Sequence, residues 1–319
     1  MSFRQAKRLH ALTLGIITVA ALTACAGGDR ESDATLSGPV VIDGSSTVQP
    51  LSLAAAKLFM AEHPEVQVSI AASGTGGGFK KFCAGEIDIS DTSRPMSGAE
   101  SKQCGEHGVI FSALQVANDA LTVVVNKDIT WAKCLTVEQL KKTWEPGSTV
   151  KNWNEIDPSF PNEPLSLYGA GSESGTFDYF TQVINGTEGA SRPDNRPSED
   201  DNITVAGVAS AKGALGYFGF SYFEENTDKL RAVEINSGKG CIAPSVPTAQ
   251  DGSYKPLARP LFIHLTDTAL KKPQVEKFAE FYIKNNAKIV DSAGFIPMTS
   301  PQISQARAEL ADIMETAGQ

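Results

Sequence analysis

Residues 171–185 read GSESGTFDYFTQVIN: small polar residues from Gly171 to Thr176, running straight into an amphipathic helix. Phe177, Phe180, Val183 and Ile184 fall at i, i+3, i+6 and i+7 and share one apolar face. Ser174 has the hydroxyl of an N-cap, able to accept from a free N–H of the first turn. Gly175 allows close approach of a ligand to the backbone. Spare N–H groups and hydroxyls at a helix start attract anions. The same arrangement recurs at Gly44–Val48, Gly74–Gly78 and Ser93–Ser97. Four such helix starts in one chain predict a single shared anion site.

Outward from this stretch the chain alternates strand, polar turn and helix. Pro39–Asp43 is β-rich and ends at Gly44-Ser45-Ser46-Thr47, and a helix follows from Pro50 until Pro64 stops it. Val66–Ala71 alternates as a strand, and the turn 73–78 leads to a short helix from Phe79. Ile87–Ser90 is a third strand, followed by Ser93-Arg94-Pro95-Met96 and a capping box at Ser97 and Glu100. This rhythm predicts an α/β lobe with its site at the carboxyl ends of the strands. Further helices are expected at 205–211, 275–285 and about 302–315, with 186–202 an exposed loop. The β-branched run 119–126 and the run 259–265 read as two crossings between lobes. They divide the chain into lobe I, 38–117 plus 257–319, and lobe II, 118–256.

The amino-terminal residues carry a targeting pattern. Arg4, Lys7 and Arg8 precede an apolar run, and Leu22-Thr23-Ala24-Cys25 matches a lipobox. The run is too short to span a bilayer comfortably. Residues 1–24 are expected to be a lipoprotein signal peptide, Cys25 the lipidated residue, and 25–37 a flexible tether. An exported chain meets oxidising conditions, so Cys83, Cys104, Cys134 and Cys241 are expected to form two disulfides. Sequence does not fix their pairing; the short local loop favours Cys83–Cys104, which leaves Cys134–Cys241. The net charge of −9, without a basic stripe, argues against nucleic acid.

Several chemistries fail on spacing. Counting from Gly74, Phe79 stands where both a P-loop and a dinucleotide motif need glycine. His63, His107 and His264 lie in no nucleophile elbow, and no His–carboxylate spacing fits a metal. No catalytic residue, metal or cofactor is therefore assigned. Arg94, in the third of three equivalent turns, is placed to contact a tetrahedral oxyanion with both arms.

Asp43–Pro50, Gly74–Glu86, Ser93–Met96, Ser174–Thr181, Ala214–Phe220 and Arg259–Ile263 together resemble the substrate-binding lipoproteins of bacterial phosphate ABC transporters. The resemblance spans the mature chain in the family's order. It implies a two-lobed type II periplasmic-binding fold that closes on one phosphate, acts as a monomer, and docks on a membrane permease driven by an ATPase. It assigns phosphate contacts to Ser46, Thr47, Thr75, Ser93, Arg94, Ser174, Gly175 and Thr176. The best-known branch has an aspartate where this chain has Ser93, and an arginine where this chain has Ala170. Arg94 is the expected replacement cation, and Asp43, Asp91 or Glu173 the expected acceptor of the phosphate proton. Two other readings are a phosphatase with Ser46 or Ser174 as nucleophile, and a receptor for sulfate, molybdate or arsenate.

Overall fold

The run Val123-Val124-Val125 lies within a 16-residue strand, β4 (Phe111–Asn126), buried almost without interruption from Val116 onward. Such a run is what a central strand covered on both faces needs. A computed structural model of the chain describes residues 36–172, 174–198 and 200–318. The signal peptide, Cys25 and nearly all of the tether fall outside the described residues.

The strands before β4 are β1 (Gly38–Gly44), β2 (Val66–Ile70) and β3 (Ile89–Thr92). Those after it are β5 (Cys134–Thr136), β6 (Ser166–Ala170), β7 (Arg196–Ser198), β8 (Ala214–Gly219), β9 (Leu230–Ala232), β10 (Glu234–Asn236), β11 (Cys241–Ile242) and β12 (Ala258–Thr266). The main sheet runs β2-β1-β3-β12-β4-β8-β6-β7, with β9 also on β4. In the first half β1 pairs in parallel with β2 and β3, as the strand–helix rhythm predicts. β12 joins antiparallel to both β3 and β4. The first part of β4 pairs with β12, Ala120 facing Ala258; the rest, from Leu121, pairs with β8. One strand thus serves both halves of the sheet.

Two large cores lie on either side of that switch. The first gathers Val40, Ile42, Leu51 and Phe59 with Leu261, Phe278, Tyr282 and Leu310. The second gathers Leu121, Val123, Trp144, Trp153, Phe180 and Tyr217. Phe180 stacks on Tyr217 with ring centroids 3.8 Å apart, and Trp144 meets both edge-on. Each fully buried Leu, Ile or Phe contributes about 1.5–3 kcal/mol on area grounds, an upper estimate. The disulfides pair Cys83 with Cys104 and Cys134 with Cys241. The first joins two helices beside Phe82 and Ile87; the second ties β5 to β11, the two outer strands of the small sheet β11-β10-β5.

Three local readings differ from expectation. The glycines 74–78 are themselves helical, within the helix Gly74–Cys83, rather than a turn before it. Packing explains this, since a Cβ on Gly78 would stand 2.6 Å from the Gly44 Cα, so the helix start is pressed on the end of β1. The helix after Ser174 is α-helical only to Phe180 and then widens into a π-turn, Thr181–Asn185. There the Thr181 hydroxyl donates back to the carbonyls of Phe177 and Asp178 and opens the ladder. Residues 186–202, expected as loop, contain β7 and a buried arginine: Arg192 donates to the carbonyls of Thr143 and Val150 and pairs with Asp194.

Candidate functional site

The ends of β1 and β3, two helix starts and β12 converge on a cavity of about 180 Å³. Pockets for drug-sized ligands run to roughly 300–1,000 Å³, so this one suits a small ligand. Six of the eight expected contacts line it: Ser46, Thr47, Thr75, Ser93, Arg94 and Gly175. Ser174 and Thr176 line an adjoining cavity of about 360 Å³, which shares Ser46, Thr47 and Gly175 as walls. The Ser174 hydroxyl accepts from the Thr176 N–H at 3.2 Å, the N-cap expected of it.

The loops hold one another. Ser45 N–H donates to the Asp91 carbonyl at 2.8 Å, fixing the end of β1 beside β3. Thr75 Oγ1 accepts from the Ser93 N–H at 3.2 Å and lies 3.1 Å from Ser93 Oγ. From the other half, Gly175 abuts the Ser46–Thr47 turn. A Cβ on Gly175 would lie 2.3 Å from Thr47 Oγ1 and 2.5 Å from Thr47 N.

The buried cation of this cavity is Arg259 on β12, a residue of the Arg259–Ile263 motif to which no phosphate contact was assigned. Its Nη2 donates to Thr47 Oγ1 at 2.8 Å and its Nε to Asp119 Oδ2 at 3.2 Å. The guanidinium sits 3.5 Å from the centroid of the Tyr179 ring, a cation–π contact from the second half. Burial pushes the Asp119 carboxyl up, against the pull of Arg259. Burial likewise pushes the Tyr179 phenol up to about 12, so it stays neutral and donates to the Pro256 carbonyl.

Arg94 stands differently from expectation. It reaches the cavity, but its guanidinium fork grips Glu100, at 2.8 and 2.9 Å, from an exposed position. Burial opposes ionisation of Glu100, yet hydrogen bonds from Arg94 and Ser97 hold it down at about 2. The pair is therefore charged at any physiological pH, and both arms of Arg94 are committed to it.

Two of the three expected proton acceptors are also misplaced. Asp43 faces away from the cavity and takes Lys81, Ser73 N–H and Gly44 N–H. Asp91 on β3 is sealed under the helix Gln49–Glu62, accepting from Ser52 at 2.8 Å. Both errors share a cause: neighbouring positions on a strand alternate between faces, and sequence proximity to a loop does not say which. Glu173 lies outside the described residues. The carboxylates that do line the cavity are Asp178 and Glu188. Asp178 lies in the opening stretch beside Phe177, off its apolar stripe, and was assigned no role.

A family model for a PBP superfamily domain matches residues 29–286. The chain belongs to that superfamily. Protein SphX of Synechocystis is 42% identical over 91% of this chain and 87% of its own. The phosphate-binding protein PstS of Staphylococcus saprophyticus is 33% identical, over 92% of this chain and 91% of its own, which places the chain in the family of these proteins. A crystal structure of a possible phosphate-binding protein from Planctomyces limnophilus superposes with a TM-score of 0.84 at 45% identity, covering 88% of this chain and 99% of that one. This PBP-superfamily chain accordingly has the two-lobed α/β fold, with the cavity where its two cores meet.

Proposed function

We propose that this protein is an extracytoplasmic receptor that captures inorganic phosphate in the cleft between its lobes and delivers it to an ABC permease. One observation carries the reading: a buried arginine, held by both halves, among hydroxyls and helix-start N–H groups in a small cavity. Arg259 supplies the charge, bidentate in geometry and always protonated. Thr47, Thr75, Ser93 and the backbone at Gly175 supply neutral donors, with Arg94 at the rim.

Lobe I comprises 38–117 and 257–319, lobe II 118–256, and the hinge lies where β4 and β12 cross, near Ala117–Ala120 and Pro256–Pro260. The split between the two cores and the partner switch along β4 support these bounds. Signal peptide cleavage at the lipobox and lipid on Cys25 keep the receptor at the membrane, beside the permease. Catalysis has no support in the site. Ser46 donates to Asp178 at 3.3 Å, Ser174 caps its helix, and neither cavity is lined by a histidine that could activate a serine.

Calorimetric titration of the purified protein, stripped of carried-over ligand, tests the reading. Phosphate is expected to bind tightly at one to one. Equal heats with sulfate would make it a general oxyanion receptor, and no binding of either would end the assignment.

A further inference from the structure

The helix Gly175–Phe180 turns two residues, four positions apart, towards the other half of the molecule. Gly175 meets the Ser46–Thr47 turn, and Tyr179 meets Arg259, which itself donates to Thr47. The Arg259 Cζ stands 3.5 Å from the ring centroid, at van der Waals distance over the middle of the ring. The two other cation–π contacts among the described residues are looser, at 5.2 and 5.5 Å, and their arginines, Arg196 and Arg94, are exposed. Arg259 is buried, and such a contact strengthens as water is excluded. The ring is anchored in turn. Its hydroxyl donates to the Pro256 carbonyl and lies 3.5 Å from that of Ala258, the residue before the arginine.

A guanidinium carries five N–H donors in one plane. Three of them are committed here: Nε to Asp119, Nη2 to Thr47 Oγ1 and Nη1 to the Ser93 carbonyl at 3.5 Å. One donor on each terminal nitrogen is left, and Arg259 lines the anion cavity. Hydrogen bonds hold the group at its edge. The ring bears on its face, the direction in which rotation about Cδ–Nε would swing it away from the cavity. We propose that Tyr179 is a positioning residue for phosphate capture: its ring holds the Arg259 guanidinium in one plane, with the two remaining N–H groups presented to the anion. The proposal rests on the phosphate reading above and adds a residue that acts through the cation. A fork fixed in advance loses less freedom when the ligand arrives. Because Tyr179 shares its helix with Gly175, the same element that closes on the Ser46–Thr47 turn also sets the charge behind it.

The test is calorimetric titration with inorganic phosphate of the wild type, Tyr179→Phe and Tyr179→Leu, with the nitrogen-bound Nε proton of Arg259 followed by NMR. Phenylalanine keeps the aromatic face and is expected to bind phosphate within about 3-fold of the wild type. Leucine fills similar space without that face and is expected to bind about 10-fold more weakly. The Arg259 Nε proton should be shielded by the ring in the wild type and Tyr179→Phe, and lose that shielding in Tyr179→Leu. A role confined to packing on the second core would lower the ligand-free melting temperature without this pattern. Wild-type affinity in Tyr179→Leu overturns the proposal. Equal losses in Tyr179→Phe and Tyr179→Leu overturn it too, since the hydroxyl rather than the ring would then be at work. Should Tyr179→Leu not fold, Tyr179→Met carries the same readout. A wild type that binds no phosphate removes the phosphate reading and this proposal with it; a wild type that binds it while Tyr179→Leu does so equally removes this proposal alone.

Discussion

Replacing the hydrogen of Gly175 by a methyl group drives a carbon into the backbone and hydroxyl of Thr47, a turn itself held by Arg259. Backbone cannot swing aside as a lysine tip can, so the two halves must separate to make room. Gly175→Ala is expected to weaken phosphate binding at least about 10-fold in calorimetry while leaving the ligand-free melting temperature nearly unchanged, since neither core is touched. An unaltered affinity would mean that the contact at Thr47 is not made in the bound form. Gly175 was legible because glycine between hydroxyls at a helix start has a physical reason to be there. Arg259 was not: it sits before Pro260 in a strand, and its partners Asp119 and Thr47 lie 140 and 212 residues away. Only the fold brings them together.

At the scale of elements, the polar exceptions inside buried strands mark where the chemistry lies. Asn118 and Asp119 interrupt the apolar run of β4, and they hold Pro297 and Arg259 respectively. Asp91 on β3 is an exception of another kind, fully buried with Oδ2 lacking a hydrogen-bond partner. Burial, with the charge of Asp43 assisting and the Ser52 hydrogen bond opposing, raises it from 3.8 to about 8. The folded chain thus keeps a proton that the unfolded chain releases above about pH 4, so between these values the folded chain binds more protons. The stabilisation by the neutral acid is complete below about pH 4 and is lost as pH rises through about 8. Scanning calorimetry from about pH 5 to about pH 8 should show a falling melting temperature in the wild type and a flatter profile in Asp91→Asn. Parallel profiles would exonerate Asp91. The helix starts and most strands were readable from caps, prolines and alternation. The first half of β4 was not, because Gln115 and Asn118 make 111–118 look like loop until its partners are known.

For the whole molecule, phosphate bound between the halves should stabilise both at once. At about 100 times the dissociation constant the gain is about 2.7 kcal/mol, or roughly 4 °C in melting temperature for a chain of this size. Differential scanning with phosphate and with sulfate measures it, and equal shifts by the two anions would contradict selective capture. The two-lobed plan was visible in the sequence as a pair of β-rich crossings about the middle of the chain. That β4 and β12 are hydrogen-bonded neighbours was not visible, since pairing between strands so far apart leaves no local trace.

The first core also sets an order on the protein's making. It joins Val40 and Leu51 to Leu310 and Ile313, whereas the second core draws nearly all its residues from one continuous stretch. A chain made amino-terminus first can therefore complete its later half before its earlier one. β1, β2 and β3 must wait, with their loops already made, until the helix Ser300–Gly318 follows to complete the core they share. The loops at the ends of β1 and β3 are held in a finished core only once the helix Ser300–Gly318 has been made.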